Sequence, residues 1–129
     1  MHTSVAGIAW DNGRFFIALR SSGGDMGDRW EFPGGKVEEG ESDEMALKRE
    51  YEEEFGAPVT VGPLLGTASF EHHGITRQVN AYRIYFTDTN FTLTEHTQWR
   101  WASIDEIELL PFVDSDLKLV PALKKASFS

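Results

Sequence analysis

Apolar and polar positions along the chain follow two rhythms, and each rhythm marks a type of element. Residues 3–10 (TSVAGIAW) and 14–20 (RFFIALR) are apolar runs of strand length. Asp11-Asn12-Gly13 lies between them and signals a hairpin turn. Residues 21–29 (SSGGDMGDR) read as a loop, and Glu31 to Val37 as a short strand, a glycine turn and a second short strand. The rhythm then changes. Leu47, Tyr51 and Phe55 repeat every four residues, the apolar stripe of a helix over 43–55. Glu41, Ser42, Asp43 and Glu44 supply an N-cap candidate and an acidic first turn that suits the helix dipole. Gly56 stops the helix, and Pro58 follows.

Strand rhythm returns over 59–71. Glu71-His72-His73-Gly74 turns the chain into a partner at 75–87, and Gln98 to Ala102 is a further strand. Ser103-Ile104-Asp105-Glu106 is a capping box that opens a short helix, which Pro111 ends. A last helix is expected over 115–127, with Pro121 leaving its start and straightness open. Helices on both sides of a mixed β-sheet make an α/β/α sandwich, and residues 1–129 are expected to form one domain.

Charge narrows the partners. The net charge of −9 disfavours a stable nucleic-acid complex, which needs basic stripes. Nine Phe, four Trp and three Tyr supply a core for a globular domain. The chain has no cysteine, so disulfides, zinc–thiolate sites and thiol nucleophiles are excluded. No apolar run reaches membrane length and no leader pattern opens the sequence, so a cytoplasmic protein without a membrane partner is expected.

The chemistry concentrates in residues 35–57. Glu50, Glu53 and Glu54 stand at i, i+3 and i+4, which stacks three carboxylates on one helical face. They repel one another unless a cation neutralises them, and hard oxygens held together are what Mg²⁺ or Mn²⁺ takes, alongside phosphate oxygens. Arg49 points about 100° away around the helix. From there it can reach Glu41 or Glu50 and fix a carboxylate rotamer. The other reading is a solvated acidic face.

The spacing resembles the Nudix box, G-x5-E-x7-R-E-U-x-E-E-x-G-U, where U is a bulky apolar residue. Gly35, Glu41, Arg49, Glu50, Glu53, Glu54 and Gly56 occupy every fixed position. Tyr51 and Ala57 depart at the two softer ones, which concern packing. The resemblance extends over nearly the whole chain and is closest to the MutT-like group, which includes oxidised-purine nucleotide sanitisers and CTP pyrophosphohydrolases. It implies Mg²⁺, with Mn²⁺ as a substitute, on Glu50, Glu53, Glu54 and a carbonyl at Gly35. Glu95 is a further candidate ligand or base from the polar loop before the late strand; a plain surface residue fits it equally. Glu50 or Glu53 would take the proton of the attacking water, with Arg49 and Glu41 in support. Resemblance to MutT places the attack at the β-phosphorus.

Candidate substrate contacts lie outside the helix. Arg20 and Lys36 suit phosphates, Arg through its fork and Lys as a point charge; solvated surface bases are the alternative. Phe32 and Phe70, like Trp30, have aromatic faces for a base, although strand aromatics more often build the core. Trp99 and Trp101 share a strand face and are read as core. His72 and His73 are adjacent on a strand, point to opposite faces and receive no metal role. Asp116 falls where MutT-like enzymes place an Asn or Asp that reads the base. An Asp accepts from an amino group such as N4 of cytosine and, when protonated, donates. It also suits a helix cap.

The expected activity is Mg²⁺-dependent hydrolysis of nucleoside or deoxynucleoside triphosphates to monophosphate and pyrophosphate, with a role in nucleotide-pool sanitising. The tail leans towards a pyrimidine nucleotide. Other diphosphate-linked substrates (ADP-ribose, dinucleoside polyphosphates) and a binding module without hydrolysis are the alternatives. A monomer and a homodimer fit equally.

Overall fold

The structure, a computed structural model, describes residues 2–20, 28–87, 96–126 and 128. Among the described residues, eight strands form two four-stranded sheets. The first sheet runs β5 (Gly34–Lys36), β1 (Thr3–Ile8), β7 (Ile75–Phe86), β6 (Val59–His72). It is mixed, because β1 and β7 are parallel while the outer pairs are antiparallel. The second is built around β3 (Arg14–Arg20), which pairs antiparallel with β2 (Trp10–Asp11), β4 (Trp30–Glu31) and β8 (His96–Ala102).

The apolar run of β3 explains the layering. Phe15 and Ile17 join one core cluster, with Trp30, Val79, Ile107, Leu119 and Leu123. Phe16 and Ala18 join the other, with Ala46, Leu47, Tyr51, Phe55 and Ile84. Successive side chains of a strand point to opposite faces, so a strand covered on both sides reads as continuous apolar sequence. The helix α1 (Asp43–Phe55) covers one face of the sheets. Residues of α2 (Ile104–Leu109) and α4 (Val120–Lys125) cover the other.

The hairpin expected between residues 3–10 and 14–20 survives only at its tip. Both edges of β1 are occupied, by β5 and β7, so Trp10 and Asp11 alone remain to pair with Phe15 and Arg14. The long hairpin of β6 and β7 follows the expected turn, with His73 and Gly74 at positive φ. The last helix is two pieces, α3 (Asp114–Leu117) and α4. Pro121 stands in the first turn of α4, the place where a missing N–H costs nothing. Ser103 and Glu106 form the reciprocal capping box of α2. Trp99 is 40% exposed, because β8 pairs with β3 alone among the described residues, although its ring lies 5.7 Å from that of Phe16.

Candidate active site

The helix α1 carries its chemistry on one side and its anchorage on the other. Ser42 caps it by accepting from the N–H of Met45, and Gly56 ends it at φ 63°, a conformation glycine reaches without strain. Ala46, Leu47, Tyr51 and Phe55 are fully buried beneath it. The phenol of Tyr51 donates to the carbonyl of Gly7 at 2.9 Å, so the aromatic residue at this box position anchors the helix to β1. At the other end, Asp43 accepts from Tyr82 Oη at 2.6 Å and Asn80 Nδ2 at 3.0 Å. Burial and that bond push the Tyr82 phenol up to about 12. No local sequence pattern signals this clamp; it joins residues almost forty positions apart.

Arg49 organises the acidic side. It donates to both oxygens of Glu41 at 2.7 and 2.9 Å, to Glu50 at 2.9 Å and to the carbonyl of Lys36 at 3.0 Å. A longer bond of 3.3 Å reaches Glu53. The guanidinium holds the Glu41 carboxyl down to about 2, helped by the N–H of Glu38, and its own pKa is raised. Glu50 goes the other way: burial raises it against the pull of Arg49. The Glu54 carboxyl, 3% exposed, is within hydrogen-bond reach of that of Glu50, a contact that requires one of the two to carry a proton. Two such groups in contact hold a proton or a cation between them. Glu53 is apart from this pair, with its side chain 61% exposed.

Gly35 explains the strictness of its position. A Cβ there would overlap the Glu50 carboxylate, so a larger residue would force that side chain out of its present place beside β5. Beside it opens a cavity of about 230 Å³. Arg20, Phe32, Lys36, Phe70 and Asp116 all line it, together with Gly35. Strand β4 gathers one wall. The N–H of Trp30 donates to Pro111 and that of Val113 to Trp30, at 2.8 and 2.9 Å. This pairing brings Asp116 over Phe32, whose N–H donates to Asp116 Oδ2 at 2.9 Å. Val113, not Asp116, stands at the start of α3, so Asp116 is not its cap. The ring of Phe32 is 2% exposed and meets Phe15 and Phe112 edge-on, so most of it belongs to the core. Phe70 is half-buried.

Glu31 is a residue the sequence reading passed over. It accepts from Arg20 Nη1 at 3.1 and 3.3 Å and is 9% exposed. Burial first, and the charge of Glu31 second, push the Asp116 carboxyl up to about 8. The N–H of Phe32 and the Arg20 guanidinium oppose that rise. Glu95 lies outside the described residues. His73 is an exposed turn residue.

The profile of the NUDIX domain family matches residues 1–123. This chain belongs to the Nudix family. It is 33% identical over 118 residues to the CTP pyrophosphohydrolase of Escherichia coli (strain K12), covering 92% of this chain and 87% of that protein. It is 38% identical over 95 residues to the 8-oxo-dGTP diphosphatase of Proteus vulgaris, covering 74% and 83%. The solution structure of the E. coli ORF135 protein superposes with a TM-score of 0.86 at 33% identity, over 96% of this chain and 89% of that one. The chain is thus a Nudix hydrolase with MutT-like relatives.

Nudix hydrolases typically use a divalent metal. Among the described residues, no three acidic or imidazole groups converge closely enough to enclose an ion as they stand. The chemistry of two of them fits one. Glu50 and Glu54 are hard oxygen donors already in contact, and the bare backbone of Gly35 leaves open the space beside Glu50. Glu53 joins them only after leaving Arg49.

Proposed function

We propose that this Nudix hydrolase cleaves nucleoside or deoxynucleoside triphosphates to the monophosphate and pyrophosphate. The observation that carries the reading is the cavity beside Gly35. It joins Gly35, Lys36 and Arg20, which suit the phosphate end, to Phe70 and Asp116, which suit the rest of a nucleotide. The curated relatives named for CTP and 8-oxo-dGTP support the triphosphate class.

Glu50, Glu54 and the Gly35 backbone would hold Mg²⁺, with Glu53 completing the set. The bound ion supplies charge neutralisation for the polyphosphate and acidifies water. The chain's own residues do the rest. Arg49 keeps Glu41 ionised and ties it to the start of the helix and to β5, so the acids are held before substrate arrives. Lys36 and Arg20 meet phosphate oxygens. Glu50 or Glu53 accepts the proton of the attacking water, and the exposure of Glu53 favours it for that step. Water adds to phosphorus, the anhydride bond breaks, and pyrophosphate leaves.

Asp116 reads the base. With Oδ2 tied to the Phe32 N–H, Oδ1 is left for the nucleotide. Below about pH 8 it carries a proton and donates; above, it only accepts. A panel of canonical, oxidised and methylated triphosphates with Mg²⁺, analysed by chromatography, tests the reading. Monophosphate and pyrophosphate in equal amounts are expected. Release of orthophosphate, or no turnover of any triphosphate, would overturn it.

A further inference from the structure

We propose that Arg77 is a specificity-determining residue of the nucleotide cavity, its guanidinium fork taking two acceptors on the edge of the base. The inference rests on the nucleotide reading above and deepens it.

Register places Arg77. Its cross-strand partner on β6 is Phe70, and its neighbour two residues on, Val79, belongs to the core beneath the cavity. On the other side of β7 lies β1, where Ser4 is paired with both Val79 and Lys36. Lys36, Ser4, Arg77 and Phe70 therefore cross the floor of the cavity in that order, on four neighbouring strands. Two strand spacings of about 4.8 Å and an offset of about 7 Å from Val79 to Arg77 along β7 separate Lys36 from Arg77 by roughly 12 Å. Lys36 stands next to Gly35 and the acids. Arg77 stands at the far side, with Phe70, where a nucleotide whose phosphates meet Lys36 would place its base.

Its bonding leaves it available. Three cations line the cavity: Arg20, Lys36 and Arg77. Arg20 is engaged by Glu31. Arg77 is half-buried, and its one hydrogen bond among the described residues runs from Nη2 to Ser4 Oγ at 3.4 Å. That is long for a hydrogen bond, and a guanidinium has five donors. No carboxylate among the described residues forms an ion pair with it. The remaining donors have the planar geometry that matches a carbonyl oxygen beside a ring nitrogen. Asp116 and Phe70 line the same cavity as Arg77, so a base there would have polar groups for its edges and a ring for its face.

Calorimetric titration of the four common nucleoside monophosphates and inorganic triphosphate tests the assignment, with wild type, Arg77→Met and Arg77→Lys. Met keeps the stem without the fork, and Lys keeps the charge without the fork. The wild type should favour one base. Both variants should lose that preference by about tenfold or more, the size of one bidentate base contact. Their affinity for inorganic triphosphate should not change. An equal loss for every nucleotide and for triphosphate, recovered by Lys, would make Arg77 a phosphate contact and overturn the proposal. Unchanged affinities would overturn it too. A wild type that binds inorganic triphosphate but no nucleotide would sink the nucleotide reading itself, and the inference with it.

Discussion

Asp116 ties base recognition to stability, and Asp116→Asn measures the link. The carboxyl is buried, with its folded pKa pushed from an ordinary 3.8 to about 8. An acid whose folded pKa lies above its unfolded one binds more protons when folded. Its contribution is therefore most favourable below about pH 4 and is lost as pH rises through about 8. At 1.36 kcal/mol per pH unit the ceiling of that loss is about 6 kcal/mol. Single substitutions rarely exceed 4–5 kcal/mol, so we expect a measurable difference of about 3 kcal/mol, or roughly 10 °C in Tm. Asparagine has no titration, can still accept from the Phe32 N–H, and keeps a donor for the base. Urea unfolding of both proteins from pH 5 to pH 9 gives the answer. The variant should already lead the wild type slightly at pH 5, gain steadily on it, and level off above pH 8. A difference that stays constant across this range would mean that Asp116 ionises normally and that burial is not felt.

Three further outcomes follow from particular contacts. Glu50→Gln should lower kcat about 10²- to 10⁴-fold with the fold intact by circular dichroism, since it removes a carboxylate from the acidic pair without a change of shape; near-normal turnover would contradict its role. Tyr51→Phe should cost about 1–2 kcal/mol in urea unfolding, because the buried Gly7 carbonyl loses its donor, while triphosphate turnover stays close to wild type. Chelation with EDTA should abolish turnover, and Mn²⁺ as well as Mg²⁺ should restore it; activity that survives EDTA would remove the metal from the account.

Much of this was legible in the sequence because it is local. The carboxylate face, the stripe beneath it, the Gly56 stop and the capping box of α2 each depend on spacings of three or four residues. The substrate candidates Arg20, Lys36 and Phe70 came from the chemistry of their side chains and Asp116 from family resemblance, and they meet only through pairing within the two sheets and the placement of the α3 segment. What sequence spacing could not display is long-range choice. Residues 3–10 have strand character throughout, yet which neighbours occupy the edges of β1 decided that the hairpin would keep only its tip. The Asp43–Tyr82–Asn80 clamp, the Glu31 partner of Arg20 and the half-buried Arg77 beside Phe70 likewise arise from register across strands. Glu53 was grouped with Glu50 and Glu54 by helical geometry; its longer reach to Arg49 and to solvent is a rotamer matter that spacing does not specify.

The proposed chemistry requires that the carboxylates of α1 hold a divalent cation for a polyphosphate. Mn²⁺ binding followed by electron paramagnetic resonance tests it most directly, on wild type and on Glu50→Gln and Glu54→Gln, with and without inorganic triphosphate. The account predicts bound Mn²⁺ in the wild type, tighter with triphosphate, and lost in both variants. Equal binding in all three proteins, or none in the wild type even with triphosphate, would contradict it.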